Sequence, residues 1–353
     1  LFSAIVKNII AENNKRLEPG YSCNGKKKNA VQLIVVGDFF QLPPVIKKED
    51  REILVEMYGT EYEPGEICER GYAFFSRAWK EMEFHCVKLE EVCRQKDAEF
   101  LGILNDIKYG RNLQNVIAYL ESNQSSDLME EAPYLVGTNA KADKINQAHM
   151  RALDEKTEKK FWAIIEGDVT YEDIKNISFA KQSLVVNVGA KVMLTANDAN
   201  GEYVNGTMGT IIDISKERGD ATCIQILTDK GKKVDVYRYE REIERQDIEE
   251  SKEKDKNSET VIVKKIVRKI VGSFKQFPIK IAWAMSIHKS QGQTFGQVNI
   301  DPRCWDSGQF YVAVSRAESV AGIHFMAPIM KQYIRTLSDE VIKILRESLY
   351  SII

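Results

Sequence analysis

Val31-Gln-Leu-Ile-Val-Val-Gly-Asp-Phe-Phe-Gln-Leu-Pro-Pro44 is the stretch on which the reading of this chain turns. Val31 to Val36 is mostly apolar and β-branched, and it stops at Gly37-Asp38. A short apolar run bounded by breakers predicts a strand buried on both faces, as inside a parallel sheet. In open parallel sheets chemistry gathers past the carboxyl ends of the strands, which is where Asp38, Phe39, Phe40 and Gln41 fall. Pro43-Pro44 then fixes φ twice and denies helix or ladder continuation. On local grounds a core strand with a stiff turn accounts for the stretch equally well.

The 353 residues imply about two domains with material for buried cores. With 43% apolar and 29% charged residues, the composition is that of a soluble globular protein. A formal net charge of -2 gives no global sign of a polyanion partner; the 50 basic residues still leave room for a local nucleic-acid patch. No run approaches the roughly eighteen apolar residues of a membrane span. The six cysteines hold no C-x-x-C pair, which predicts reduced thiols and an intracellular protein, and the four histidines have no metal-ligand spacing. No metal site is expected among these residues.

The chain opens without methionine on an amphipathic helix, with Leu1, Ile5, Ile9 and Phe2, Val6, Ile10 at helical spacing, so it reads as a piece of something longer. Gly20-Tyr-Ser-Cys-Asn-Gly-Lys-Lys27 imitates a phosphate-binding loop, but Lys27 stands where Ser or Thr must hold magnesium, and a helix rather than a strand precedes it. Residues 72–81 predict a helix and Phe84–Leu89 a strand. Asp97 caps a helix to about Tyr109 with the stripe Phe100, Leu101, Leu104, Ile107. Leu113–Leu120 is a further helix. A strand at Tyr134–Gly137 leads to a helix capped by Thr138 or Asn139. From Lys191 short strands alternate with Gly/Asn/Asp turns, the pattern of a small antiparallel barrel. Arg241–Glu259 reads as a solvated hairpin or mobile loop, and Val261–Phe277 as a strand whose basic face (Lys264, Lys265, Arg268, Lys269) suits a solvated edge or a nucleic-acid contact. At Pro278 the α/β style resumes: a buried strand Ile281–Ile287, a strand Val298–Asp301, a helix within Gly308–Glu318, a strand from Ile323 and closing helices over Ile329–Leu349.

Gly37–Pro44, Glu91-Val-Cys-Arg-Gln95, Val204-Asn-Gly-Thr-Met-Gly209, Ile287-His-Lys-Ser-Gln-Gly-Gln-Thr294 and Tyr311-Val-Ala-Val-Ser-Arg316 resemble, in order and spacing, the superfamily-one DNA helicases of the PIF (petite integration frequency)/RecD-like branch. The resemblance covers essentially the whole chain. It implies an α/β fold of RecA-like, P-loop NTPase-type parallel sheets, one partial and one complete, with an inserted small antiparallel β-barrel of Src-homology type. The implied domains are residues 1–90 (the end of the first RecA-like domain), 91–190 with 278–353 (the second), and 191–277 (the barrel).

The resemblance further implies an ATP-dependent, 5′-to-3′ helicase using ATP and magnesium, acting as a monomer on single-stranded DNA and on forks or duplex junctions. The host cell's DNA would be its place of work, in the cytoplasm at the nucleoid if the source is bacterial. Gln41 would sense the γ-phosphate and attacking water, and Arg94 and Arg316 would act as arginine fingers. Asp38, Gln291 and Gly292 would join them at the nucleotide. Phe39, Phe40, Pro43 and Pro44 would stack on or wedge bases, one phenylalanine being core because neighbours on an extended segment face opposite ways. His288, Lys289, Ser290 and Thr294 would track the DNA backbone, with Thr138 and Asn139 donating to a phosphate. Plainer readings stand beside these: Arg316 as a cation favoured at a helix C-terminus, Thr138 or Asn139 as a cap, His288 as structural.

The family's P-loop and Asp-Glu box precede the strand at residues 31–36, and neither is found there. These residues alone are therefore expected not to hydrolyse ATP. A non-catalytic, single-strand-binding or regulatory protein is the alternative. A dinucleotide oxidoreductase is disfavoured because no G-x-G-x-x-G opens a helix.

Overall fold

The computed structural model describes residues 2–17, 30–44, 72–82, 84–85, 87, 89, 91–174, 177, 181–216, 222–254, 260–339 and 341–343. The imitation phosphate loop Gly20–Lys27, Cys23, Cys68, Cys86 and the closing stretch beyond residue 343 lie outside the described residues. The chain divides into two compact units, Leu1–Glu130 with Ile287–Ile353, and Glu131–Ser286.

In the first unit, Phe2–Leu17 is the opening helix. Val6 is fully buried, whereas Ile5 and Ile10 of the expected stripes are exposed. Residues 72–81, read as one helix, are a 3-10 turn Ala73–Phe75 and a short helix Arg77–Glu81, because the Ser76 hydroxyl bonds the Ala73 carbonyl and restarts the chain. Helix Ala98–Tyr109 begins as the sequence dictates: an Asp97 carboxylate oxygen accepts from the amides of Glu99 and Phe100, and Gly110 closes the far end at φ 67°. It buries Phe100, Ile103, Leu104 and Ile107. Helix Leu113–Asn123 follows. Strands Val298–Ile300 and Ile323–Phe325 pair in parallel, and helix Gln309–Val314 lies between them in sequence with Phe310, Val312, Ala313 and Val314 buried.

The second unit contains another parallel pair, Tyr134–Val136 with Ala284–Ser286, and helix Asn139–Arg151. Thr138 is its cap, its hydroxyl accepting from the Lys141 amide at 3.3 Å. A five-stranded antiparallel sheet runs in the order Ile279–Ile281, Lys191–Leu194, Met208–Lys216, Thr222–Thr228, Lys233–Val236. Its alternating side chains (Val192, Leu194, Ile211, Ile224, Ile226, Val234, Val236) share one apolar core with Phe277 and Trp283.

Three expectations are corrected. Val31–Val36 is not a buried strand: no ladder forms along it, and Ile34 and Val36 are 72% and 84% exposed. Among the described residues no strand lies beside it, and an extended run without a partner cannot bury its backbone. Phe84–Leu89 likewise forms no strand among its described residues, with Val87 and Leu89 exposed. The run Ile281–Ile287 is split. Ile279–Ile281 pairs antiparallel with Lys191–Leu194, and Ala284–Ser286 joins the parallel pair after a break at Ala282–Trp283.

The charge-rich segment is the hairpin alternative, not a mobile loop. Tyr239–Lys254 and Thr260–Gln276 form a long antiparallel arm. Its base buries Ile243 and Phe274 against Ile174 and Ile177, and opposite charges pair across it, Lys275 with Glu240 and Lys269 with Asp247. At its base the second strand is no edge, since Ile164–Gly167 pairs on its other side. The side chains of Lys264 and Lys265 lie outside the described residues.

Candidate functional site

The first unit brings together strings that are some 200 residues apart in sequence. Arg94 donates from Nε to Thr294 Oγ1 at 2.9 Å and from Nη1 to the Ser315 carbonyl at 2.9 Å. Beside it Gln95, 4% exposed, donates from Nε2 to the carbonyls of Ser315 (3.0 Å) and Ala317 (2.9 Å). Phe295 and Arg316 complete the weave, the Phe295 amide donating to the Arg316 carbonyl at 2.9 Å. Three of the quoted strings therefore converge on the turn that ends helix Gln309–Val314.

Arg316 is the chemical centre of this arrangement. It is 3% exposed, donating from Nε to the Val312 carbonyl and from Nη2 to Ser315 Oγ, both at 3.0 Å. Among the described residues no carboxylate lies within ion-pair distance of Arg316 or of Arg94. Burial, aided by the neighbouring positive Arg94, pulls the Arg316 guanidinium down to about 10. A buried guanidinium with no ion-pair partner is costly, and Asp38 offsets that of Arg316 only from a distance. With the partly exposed Arg94 beside it, the two make a site of positive potential that suits an anion. The bond from Arg316 Nε to the Val312 carbonyl, in the last turn of the helix, is also what the helix-terminus reading expects.

Gln41 reaches this side of the unit, a long 3.5 Å contact joining Gln291 Nε2 to Gln41 Oε1. A tight turn sets Gln41: Asp38 Oδ1 accepts from the Phe40 amide at 3.0 Å and the Asp38 carbonyl from the Gln41 amide at 3.2 Å. Gly308, at φ 73°, lies under that turn, and a Cβ there would clash with the Phe40 carbonyl oxygen. Only glycine satisfies both conditions. Tyr311, on the helix that Gly308 starts, has its phenol pushed up to about 12 by burial, with Asp38 adding to the effect.

The two phenylalanines do not face opposite ways: they lie in a turn rather than an extended segment, and both pack on one aromatic cluster. Phe40 is the core one, packed with Tyr72, Phe74, Leu337, Val341 and Ile342. Phe39 is half-buried, edge-on to Phe74 and Trp79 at 4.9 and 5.9 Å. Pro43 is buried and Pro44 exposed. His288 and Lys289 sit on a 3-10 turn Ile287–Ser290 with Lys289 exposed; the Ser290 hydroxyl is spent on the Ile287 carbonyl at 2.8 Å. Gly292 follows at φ 83° in open space. Thr138 and Asn139 belong to the other unit, both exposed. Gln95 and Gly308 carried no role in the sequence; an amide next to an arginine and a glycine opening a helix were the available signals.

No protein-family model matches the chain. It is 29% identical to the ATP-dependent DNA helicase Pif1 of Bdellovibrio bacteriovorus over 84% of its length, and 30% identical to that of Campylobacter jejuni over 81%. The chain spans 58% and 60% of those relatives. The solved Pif1 helicase from Bacteroides in complex with ADP-AlF3 and single-stranded DNA is 26% identical, with a TM-score of 0.68 over 99% of this chain and 72% of that one. With the parallel strand pairs and mixed α/β content seen here, this fits a RecA-like fold.

Proposed function

Since this chain belongs to the Pif1-like superfamily-one helicases, we propose that it is the greater part of an ATP-dependent DNA helicase that moves 5′-to-3′ on single strands and unwinds duplexes. In this reading residues 1–90 end one RecA-like domain, 91–190 with 278–353 form a second, and 191–277 fold as a small Src-homology-type barrel inserted in it. The five-stranded antiparallel sheet supports the barrel.

The observation that carries the reading is Arg316, buried beside the partly exposed Arg94, with no carboxylate among the described residues in ion-pair contact with either. Two guanidinium groups so placed fit the γ-phosphate end of a nucleotide. Their charge would stabilise the transferring phosphoryl group, whose equatorial oxygens carry the negative charge. Gln41, whose amide can both donate and accept, would orient the attacking water. Magnesium, when bound, neutralises charge on the β- and γ-phosphates; among the described residues no cluster of three metal-ligating side chains forms, so no ligand is assigned to it. Phe39 and Pro44 would meet bases, while His288, Lys289, Thr138 and Asn139 would meet the DNA backbone.

Single-strand-stimulated ATPase of the full-length gene product tests this. Arg316→Ala should cut turnover on the order of 10³-fold and leave DNA affinity within about twofold. Turnover at the wild-type rate would remove the basis of the proposal. The 353 residues alone, which hold no G-x-x-x-x-G-K-[ST], should show negligible turnover.

A further inference from the structure

Lys108, near the end of helix Ala98–Tyr109, belongs to none of the quoted strings. Its Nζ lies 3.3 Å from Asp38 Oδ2, both side chains being about a fifth to a quarter exposed (21% and 24%). The same ammonium stands 4.8 Å from the Phe40 ring centroid and 5.7 Å from that of Tyr311. Asp38 thus divides its carboxylate: Oδ1 shapes the turn through the Phe40 amide, and Oδ2 faces Lys108. From the opposite side the turn rests on Gly308.

We propose that Lys108 is a positioning residue, a latch that holds the Asp38–Gln41 turn against the helix carrying Tyr311 and the arginine end, so that Gln41 and the arginines face one anion. The inference rests on the helicase reading for its consequence but not for its geometry. A cation that contacts a carboxylate and two ring faces at once restrains the turn more than a single ion pair does, because each partner limits where the ammonium can move. Asp38 and Gln41 come from residues 31–44, while Lys108 and Tyr311 come from the proposed second RecA-like domain. The latch would therefore link the two sides of the proposed nucleotide cleft.

The test compares Lys108→Met and Lys108→Arg with wild type in two assays. In the 353-residue chain, amide hydrogen exchange at Phe40 and Gln41 should quicken roughly tenfold in Lys108→Met and return toward wild type in Lys108→Arg, while Leu104 and Ile107 keep their protection. In the full-length protein, Lys108→Met should lower kcat about tenfold, with the KM for ATP changing less than about threefold, and Lys108→Arg should rescue it. Unchanged exchange at Phe40 and Gln41 overturns the latch, and so does faster exchange along the whole helix, which would mean a structural role. Faster exchange at the turn with an unchanged kcat overturns its part in catalysis. An inactive wild-type full-length protein would instead refute the helicase reading, and the exchange data would still decide the latch.

Discussion

Gln95→Leu probes the weave beneath the two arginines, and its cost follows from counting partners. Leucine keeps most of the glutamine volume but donates nothing to the Ser315 and Ala317 carbonyls. Ser315 retains the Arg94 guanidinium at 2.9 Å, so its loss is limited to about 1 kcal/mol, whereas the Ala317 carbonyl is orphaned at about 1–3 kcal/mol. The total is about 3 kcal/mol, equivalent to about 6–12 °C in Tm for a unit of some 200 residues. Differential scanning calorimetry of the 353-residue chain measures it. A Tm drop under about 2 °C for Gln95→Leu would refute the partner count.

Other outcomes follow from the same geometry. Arg316→Met should leave Tm unchanged or higher, because it removes a buried charge that has no ion-pair contact among the described residues while the Val312 carbonyl keeps the Ser315 hydroxyl at 3.0 Å; a fall of more than about 3 °C would contradict this. Gly308→Ala should cost about 2 kcal/mol or more, from the left-handed backbone and the clash with the Phe40 carbonyl, read by denaturant unfolding. Single-strand binding by this chain should weaken steeply with salt, and Lys289→Ala should flatten the log–log slope by about 0.7; a salt-independent affinity would exclude the backbone contacts. Asp173 is held well below the usual carboxylate range by hydrogen bonds from Arg245 and from Thr170. Its contribution is present above pH 4 and lost as pH falls, so Asp173→Asn should flatten the acid limb of the stability curve below pH 4.

Local chemistry made much of the fold legible. Asp97 and Thr138 are caps because a short side-chain oxygen satisfies amides two or three residues on, which depends on nothing distant. The strands from Lys191 to Val236 show themselves by period-two burial between turn residues. Val31–Val36 shows where this fails: apolar β-branched residues announce a strand, but a strand exists only when a neighbour supplies its ladder. In the charged arm the reverse holds: cross-strand charges and the burial of Ile243 and Phe274 at its base join residues that one-strand patterns do not connect.

The residues of the candidate site divide in the same way. By itself the sequence determined the chemistry on offer: an amide at Gln41, guanidiniums at 94 and 316, aromatics and prolines beside them, each in a string of recognisable order. Only the tertiary structure decided that Arg316 would be buried next to Arg94 without an ion-pair partner among the described residues, that Gln95 would bind both carbonyls beneath them, that Phe39 and Phe40 would pack on one aromatic cluster, and that Lys108 would reach Asp38. Desolvation and pairing are properties of assembled neighbours, set by contacts between residues far apart in the chain, and no single segment carries them.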